Sequence, residues 1–383
     1  MDTKKEIISA FSKSKTFIIT YIWVFIAIAI LGIVWYYHRQ INKKENNNIS
    51  MAANYKNRGP ELASINPKSD KYILNQKEGI GHIRDYYIAS SYNSCCAGNF
   101  QNDYVDLDPL KEVIFQGARV LDFEIYKVNG DIVVGAGSTN NMCMKGTYNV
   151  LSLGGSASSG GVLKNINNWA FSRGSCPNPE DPLFIHFRIK SDHKDIYDKL
   201  TKYVKDAFTT KLLGPEYAFE RKNIGQQAIT GFMGKVVIIC DQINNNYTQN
   251  KNFYELVNMS SNSPFFKELR NYDIQYTHNA PGLEDFNKKN ICMTMPDLSA
   301  LNGNPAAALS FSYGCQMVCM NYSNLDKNMV YYLNQFNNAK SAFILKPKEL
   351  RYIPVMIKKP PPQNPQLSFA PKKIDLPMYK TTI

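Results

Sequence analysis

The sequence predicts an α/β fold, a TIM-like barrel in which eight parallel strands alternate with helices. Three observations support it: the chain has 383 residues, 44% of them are hydrophobic, and short apolar runs alternate with amphipathic stretches. Strands separated by helices favour a parallel sheet, and about eight such units favour closure into a barrel. The predicted strands are residues 86–91, 118–126, 131–137, 183–190, 235–241, 290–295, 316–322 and 342–346.

Ahead of the barrel, a short basic segment (1–16) leads into residues 17–37, a run of 21 residues without a charged side chain. As a helix this run would cover about 30 Å, the thickness of a bilayer core. A cleaved signal peptide would have a shorter apolar run that ends in small residues, whereas this run ends in Tyr36 and Tyr37. We therefore expect a single-pass membrane anchor. Basic residues flank both ends of the run, so its orientation stays open.

Composition divides the rest of the chain. Residues 38–80 are polar and lack periodicity, which predicts a stalk or an extended segment that lies on another part of the protein. An asparagine-rich stretch, residues 244–263, is expected to link two halves of the barrel, residues 81–243 and 264–351. The proline-rich residues 352–383 predict an extended tail.

The predicted helix nearest the middle of the chain is residues 195–208. Its apolar side chains recur every four residues, at Ile196, Leu200, Val204 and Phe208. This spacing places them on one stripe of a helix, so we expect that stripe to pack against the barrel sheet.

The net charge of the chain is +12, which favours an acidic partner. The stretch from residue 346 to the end carries eight Lys or Arg against two Asp or Glu, half of the excess. This tail is either a solvated segment or a docking arm for protein partners; anionic lipid is also compatible, and nucleic acid is not expected. The eight cysteines lack the spacing of a zinc site, so we expect reduced thiols and no sulfur-bound metal.

Four segments carry a family resemblance. They are IASSYNSC (88–95), QGARVLDFEIY (116–126), VVGAGST (133–139), and residues 314–351, which begin GCQMVCMNY and end FILKPKELR. In order and spacing they resemble the X and Y barrel halves of eukaryotic phosphoinositide-specific phospholipase C. The resemblance implies a barrel split by a linker, and a family of enzymes that use two histidines and a calcium ion to cleave phosphoinositides.

Carried over by this resemblance, the two histidine positions correspond to Tyr92 and Ala136. A phenol titrates near pH 10, so Tyr92 can form hydrogen bonds but is a poor general base at neutral pH. Ala136 has no proton to transfer. Because each general acid or base contributes about 10²- to 10⁴-fold to a rate, we expect no catalysis.

The resemblance places the calcium ligands at Asn93, Asp122, Glu124 and Arg188. The first three are oxygen donors suited to a hard cation. Arg188 stands where the family has a glutamate, and a guanidinium about 4 Å from Ca²⁺ would repel it by roughly 8 kcal/mol at an effective dielectric of about 20. We expect no bound metal and no other cofactor. Our hypothesis is that Arg188 takes the place of the cation and pairs with both carboxylates.

The resemblance places two substrate-binding lysines of the family at Ile239 and Asp241, and a substrate-binding arginine and tyrosine at Met293 and Met295. Apolar and acidic groups at these positions would bind a phosphorylated head group poorly. Met293 and Met295 are also ordinary packing residues, so these positions indicate a lost binding surface rather than a new one.

These residues predict a catalytically inactive member of the family that serves as a membrane-anchored structural or interaction scaffold. One such role is a minor structural protein that links a membrane to a viral capsid, and the composition, rich in asparagine and lysine, agrees with a large DNA virus as source. Two other classes stay open. One is a module that binds phosphoinositide or inositol phosphate without turnover. The other is a residual phosphodiesterase in which His186 or His193 acts as base beside Asp122.

Overall fold

The chain folds around a nearly closed ring of eight parallel strands. The structure is a computed structural model, and it describes residues 2–101, 103–137, 150–155, 160–191, 193–241, 248–261, 263–355, 360–361, 364 and 367–383. The strands are β1 (Tyr86–Ser91), β2 (Val120–Val128), β3 (Asp131–Gly135), β4 (Leu151–Ser152), β5 (Leu183–Ile189), β6 (Val236–Cys240), β7 (Met259–Ser260), β8 (Phe266–Arg270), β9 (Ile291–Met295), β10 (Met317–Met320), β11 (Phe343–Leu345), β12 (Lys373–Leu376) and β13 (Tyr379–Thr382).

The helices cover the outside of this ring and supply the N-terminal extension. They are α1 (Asp2–Tyr55), α2 (Leu107–Phe115), α3 (Gly161–Ala170), α4 (Ile196–Phe208), α5 (Lys251–Tyr254), α6 (Asn271–Gln275), α7 (Ala280–Lys289), α8 (Ala307–Ser312) and α9 (Lys327–Ala339). The predicted helix 195–208 is confirmed as α4, and its apolar stripe is buried.

The ring strands follow the order β7, β6, β5, β2, β1, β10, β9, β8, and every neighbouring pair is parallel. Strands β1, β5, β6, β9 and β10 are buried along their whole length. Their sequences are mostly apolar because helices cover one face and the barrel interior covers the other. The predicted α/β barrel is therefore confirmed.

Two of the eight predicted strands do not belong to the parallel ring. Residues 131–137 contain β3, which pairs antiparallel with β2, and residues 342–346 contain β11, which pairs antiparallel with β1. In their place the ring contains β7 and β8. Strand β7 lies inside the stretch 244–263, so this expected linker also contributes a barrel strand and the short helix α5. Residues 242–247 lie outside the described part of the chain.

The predicted membrane span is part of a much longer helix, since α1 runs without interruption from Asp2 to Tyr55. Within the described residues it is the one helix long and apolar enough to cross a membrane, with a mean hydropathy of 2.8 in its most apolar window and none of that window buried. The expected stalk, residues 38–80, therefore begins as helix. Its C-terminal end packs on the barrel, where Met51 and Tyr55 are buried.

The remainder of that segment lies on the barrel as an extended chain. The backbone N–H of Ala63 donates to the carbonyl of Lys340, and the N–H of Ile65 donates to the Asp181 carboxylate at 2.6 Å. Tyr72 is buried as well. Residues 56–80 thus lie on the barrel and include turns at residues 66–73 and 75–80, whereas residues 38–55 are helical, which neither predicted form includes.

The tail after residue 351 ends in a hairpin of β12 and β13 that the sequence does not predict. Residues 356–359, 362–363 and 365–366 of the tail lie outside the described residues. Seven cysteines are described, and all are buried with free thiols, as expected for reduced residues. Cys143 lies outside the described part.

Candidate functional site

The candidate site lies where the carboxyl ends of β1, β2 and β5 meet. Tyr92 and Asn93 directly follow β1, Asp122 and Glu124 stand on β2, and the strand register pairs Glu124 with Arg188 on β5. Because alternate residues of a strand share a face, both carboxylates point to the same side. Both are buried. The structure thus brings together the four positions assigned to the calcium site by resemblance, with Tyr92 beside them.

Arg188 occupies the centre of this cluster, and all five of its N–H groups donate hydrogen bonds. Nε and Nη2 form a fork on the Asp122 carboxylate at 2.8 and 2.7 Å. Nη1 donates to Glu124 at 2.8 Å and to the Tyr92 hydroxyl at 3.2 Å, and Nη2 also donates to Asn93 Oδ1 at 2.6 Å. The ion pairs predicted between Arg188 and the two carboxylates are present.

Asn93 can contribute to the cluster because of its backbone conformation. Its φ is 45°, in the left-handed region that asparagine tolerates better than most residues. Its N–H donates to Asp122 Oδ2 at 2.9 Å while its side-chain oxygen accepts from Arg188. Asn93 therefore binds both the anion and the cation of the central pair.

The charges of the cluster stabilise one another. Burial alone would raise the pKa of Asp122, but the Arg188 guanidinium and His186 hold it well below its usual range. Burial alone would likewise lower the pKa of Arg188, and the two carboxylates and Tyr92 raise it. Burial raises the pKa of Tyr92, although Arg188 and Arg270 oppose that shift. The site therefore contains a fixed cation, an ionised Asp122 and a neutral phenol.

Glu124 is held from its other side as well. Its Oε2 accepts from the Tyr126 hydroxyl and from the backbone N–H of Gly137, both at 2.9 Å. A Cβ atom at residue 137 would lie 1.8 Å from the Tyr126 hydroxyl, so only glycine allows this close approach. Both carboxylates, Asp122 and Glu124, thus accept hydrogen bonds from protein groups other than Arg188.

His186 lies one layer deeper on β5, and its side chain is fully buried. Its Nδ1 lies 2.9 Å from Asp122 Oδ1, and its Nε2 lies 3.3 Å from Glu268 Oε2 in poor hydrogen-bond alignment. Burial would lower the pKa of His186, but the interactions with Asp122 and Glu268 outweigh it and raise the pKa to about 9. His186 is therefore protonated at neutral pH and cannot accept a proton there. His193, the other histidine considered as a base, is exposed after β5.

Tyr92 is covered on all sides. Its ring faces the Arg188 guanidinium at 4.5 Å and meets the edge of Phe100 at 4.7 Å. Its hydroxyl accepts from Arg188 at 3.2 Å and from Arg270 at 3.4 Å. Only 4% of its surface is exposed. The phenol is thus buried between two guanidinium groups and the Phe100 ring.

Ala136, at the second histidine position, follows β3 and is also buried. It forms a backbone bridge with Asp103, on the loop that follows β1. Asp103 in turn accepts hydrogen bonds from Asn99 at 3.0 Å and from Lys43 of α1 at 2.7 Å. The described residues of this loop, 97–101 and 103–104, therefore lie across the mouth, and α1 holds them from outside.

Two of the four expected substrate positions, Met293 and Met295, lie on β9 and are fully buried. Thr294 between them bonds Ser310 of α8, so the two methionines face the opposite side, the barrel interior. They fill the interior with apolar volume.

The other two positions are Ile239, fully buried on β6, and Asp241, which directly follows that strand. Asp241 accepts a hydrogen bond from Ser261 at 2.8 Å. Burial and the neighbouring Glu268 raise its pKa. Neither position supplies a cation.

Sequence reasoning missed Glu268 and Arg270, both on β8. This strand reads FKELR, and with only two apolar residues it has neither an apolar run nor an alternating apolar pattern. Lys190, half-buried at the end of β5, was also missed; burial and the nearby Arg188 lower its pKa. The signal available for β8 was the spacing of Glu268 and Arg270: they are two residues apart, so in a strand they share one face.

The side chains do not fit a calcium ion. Three carboxylate oxygens of Asp122 and Glu124 bind Arg188 at 2.7–2.8 Å, and a Ca²⁺ would need these oxygens at about 2.3–2.6 Å in the volume that the guanidinium fills. Among the described residues, no group of three or more His, Cys, Asp or Glu is arranged to hold a metal.

Comparison with known proteins supports the fold. No protein-family model and no curated protein sequence matches the chain. Among solved structures, PLC21 of L. pealei superposes with a TM-score of 0.57 at 18% identity, over 73% of this chain and 39% of that one. PLC21 of S. officinalis gives 0.56 at 17% identity, over 74% and 39%. The chain thus has a phosphoinositide phospholipase C-like barrel fold, and it spans about two fifths of the length of these proteins.

Proposed function

We propose that this protein is a catalytically inactive phospholipase C-like barrel, anchored in a membrane, that acts as a structural scaffold. The observation that carries the proposal is the placement of Arg188. Its guanidinium binds Asp122, Glu124 and Asn93, the residues that resemblance assigns to calcium. A fixed protein cation there stabilises the barrel mouth and excludes the metal that activates the substrate hydroxyl in active members of that family.

The acid and base positions support the same proposal. The Tyr92 oxygen already accepts from two guanidinium groups, and burial raises its pKa, so the phenol does not exchange protons at neutral pH. Ala136 offers a methyl group. With each lost group worth about 10²- to 10⁴-fold, turnover falls below detection.

The scaffold role rests on the long helix and the tail. Helix α1 joins the apolar segment to the barrel without a break, and its last turns are buried against the barrel. A rigid body with an anchor at one end and a basic, exposed tail at the other suits a protein that ties a membrane to a protein shell, such as a viral capsid. Fractionation of the purified particle or membrane that contains the chain tests this location.

Calorimetry tests the inactive site. We expect the wild-type chain, purified in detergent, to bind no Ca²⁺ at micromolar concentrations and to release no inositol phosphate from phosphatidylinositol vesicles. The variant Arg188→Glu restores a carboxylate at the family's ligand position, and we expect it to gain Ca²⁺-dependent thermal stability. Either Ca²⁺ binding or product release by the wild type would overturn the proposal.

A second function, binding of inositol phosphates without turnover, is favoured by Arg270 and Lys190. Both cations lie at the carboxyl ends of ring strands, where the sequence indicated none. Arg270 is engaged by the Tyr92 hydroxyl and by the Pro296 carbonyl at 3.0 Å, which leaves it less available to a ligand. Calorimetric titration with inositol trisphosphate separates the two functions: binding that is lost in Arg270→Ala would establish the binding module.

A further inference from the structure

The C-terminal hairpin has one apolar face and one polar face. Strands β12 and β13 pair over four residues, from Lys373 opposite Thr382 to Leu376 opposite Tyr379. Because directly opposed residues share a face and successive residues of a strand point to opposite faces, Ile374, Leu376 and Tyr379 lie on one side together with Thr381. Lys373, Asp375, Lys380 and Thr382 lie on the other side.

The turn of this hairpin is apolar and fully open to solvent. Two-residue hairpin turns are usually formed by Asn-Gly or similar polar pairs, whereas this turn is Pro377 and Met378. Met378 is 98% exposed, and its neighbours Leu376 and Tyr379 are 55% and 62% exposed. A two-stranded hairpin has little stability on its own in water, so exposed apolar groups at its tip indicate a surface that covers them.

Basic side chains lie behind the apolar tip. Lys372, Lys373 and Lys380 are exposed there, and Asp375 is the one acidic residue of the two strands. It pairs with Lys380 at 2.9 Å. An apolar end followed by lysines is the arrangement that places hydrocarbon in the lipid boundary and cations at the level of anionic head groups.

We propose that this hairpin, residues 373–382, is a second membrane contact that inserts its apolar tip into an anionic lipid surface. The inference rests on the proposed membrane anchoring by α1, which keeps a bilayer within reach. The 21 residues from 352 to 372 can span roughly 65 Å when extended, comparable with the width of the barrel. A second copy of the chain is disfavoured as the occupant because it would oppose the same lysines with like charge. A protein strand added to the hairpin edge would not require an apolar turn.

The test places an environment-sensitive fluorophore at the tip of the full chain. The described native cysteines are buried, so Met378→Cys in a Cys143→Ser background offers one accessible thiol for an NBD label. Thr382→Cys, at the other end of the hairpin on the polar face, is the matched control. Both are reconstituted into vesicles of phosphatidylcholine alone or with added phosphatidylserine, and carbonate extraction first establishes that the chain is anchored.

We expect the NBD group at position 378 (label 378) to show blue-shifted emission and quenching by doxyl-labelled lipid only in the vesicles with phosphatidylserine. The NBD group at position 382 is called label 382. Label 382 should stay in water in both vesicles. Tyr379→Asp should abolish the shift, and replacing each of Lys373 and Lys380 by glutamine should weaken the inserted state by about fivefold. High salt should reverse the insertion.

Each other outcome overturns the inference. An anchored chain whose label 378 stays in water leaves the anchor intact and removes the second contact. An equal emission shift in both kinds of vesicle would mean that the hairpin does not recognise anionic lipid. An emission shift without quenching by doxyl-labelled lipid would mean that protein, not lipid, covers the tip. If the chain is extracted by carbonate, the anchoring proposal fails first, and binding of the labelled chain to added phosphatidylserine vesicles decides the hairpin separately.

Discussion

At the scale of single residues, Arg188 holds together a site that would otherwise contain uncompensated charge. Asp122 and Glu124 are buried carboxylates, and the guanidinium provides hydrogen bonds as well as charge to both. Such buried pairs contribute modest net stability because desolvation opposes the attraction, but the loss of one partner is costly. The cluster is therefore more sensitive to change at Arg188 than its net contribution suggests.

Replacing Arg188 by alanine should destabilise the protein by about 3–5 kcal/mol, since it removes the guanidinium from buried Glu124 and leaves buried Asp122 paired with His186 alone. Urea unfolding of the full chain in detergent, followed by near-ultraviolet circular dichroism, measures this change. Arg173→Ala is the control, because Arg173 pairs with Glu180 on the surface and such pairs add little. Equal unfolding midpoints for the two variants would contradict a central role of Arg188.

His186 predicts a pH dependence of stability with a defined sign. Its pKa is raised from 6.5 to about 9 in the folded chain, so its contribution is complete below about pH 6.5 and is lost as the pH rises through about 9. Burial lowers the pKa of Lys346 to about 7, and that residue has the opposite effect, increasing stability as the pH rises from about 7 to 10.5. In the wild type, the free energy of unfolding as a function of pH therefore contains two opposing contributions, one from His186 and one from Lys346.

The difference in unfolding free energy between the wild type and His186→Gln isolates the contribution of the histidine. We expect the wild-type advantage in unfolding free energy to shrink by about 1.4 kcal/mol per pH unit between about pH 6.5 and 9. Urea titrations across this range measure it, with Lys346→Met as the variant that removes the opposite slope. Parallel profiles for wild type and His186→Gln would mean that the histidine is neutral in the folded chain.

At the scale of secondary structure, the sequence predicts a strand well when at least one of its faces is a row of apolar residues, as in the site strands β2 and β5, and poorly when neither face is apolar. Strand β6 reads as an unbroken apolar run and was predicted from the sequence. Strand β8 places Glu268 and Arg270 toward the site and has no such pattern, and β7 has two residues, too few for any period. Glu268 and Arg270 were missed for the same reason, because a strand that is not predicted gives no basis for assigning its side chains to the site.

The contact of α1 with the loop that follows β1, described at residues 97–101 and 103–104, predicts a local change in dynamics. Lys43 binds Asp103, which also accepts from the Asn99 N–H. Lys43→Ala should increase amide exchange at Asn99 and Phe100 by about fivefold, which corresponds to about 1 kcal/mol of local opening. Hydrogen exchange with mass spectrometry measures it, and Lys56→Ala just beyond the helix is the control. Unchanged exchange would show that the loop is held by the barrel alone.

At the scale of the whole molecule, the barrel is held close to the proposed membrane anchor. The apolar run ends at Tyr37. Lys43, which binds Asp103 of the loop that follows β1, comes six residues or about 9 Å later along the same helix. The sequence predicts the span and the barrel separately. The polar residues between them carry no periodic signal, so the connection of helix and barrel is visible only in the contacts of the folded chain, which include the Lys43–Asp103 ion pair and the burial of Met51 and Tyr55.

Two truncations separate the anchor from the barrel. Removing residues 2–37 deletes the apolar run but keeps every described contact of α1 from Lys43 onward, so we expect a soluble, folded protein. Removing residues 2–55 also deletes buried Met51, worth about 1.5–3 kcal/mol, and the Tyr55 hydroxyl that donates to the Tyr322 carbonyl at 2.7 Å.

We expect the longer deletion to lower the unfolding free energy by at least about 3 kcal/mol relative to the shorter one, because that carbonyl is also left buried and unpaired. Urea unfolding of both proteins in the same buffer measures the difference. Equal stability would mean that residues 38–55 are a passive spacer. A large difference would mean that the last turns of the anchoring helix belong to the barrel, so that a force on the membrane segment is transmitted directly to the scaffold.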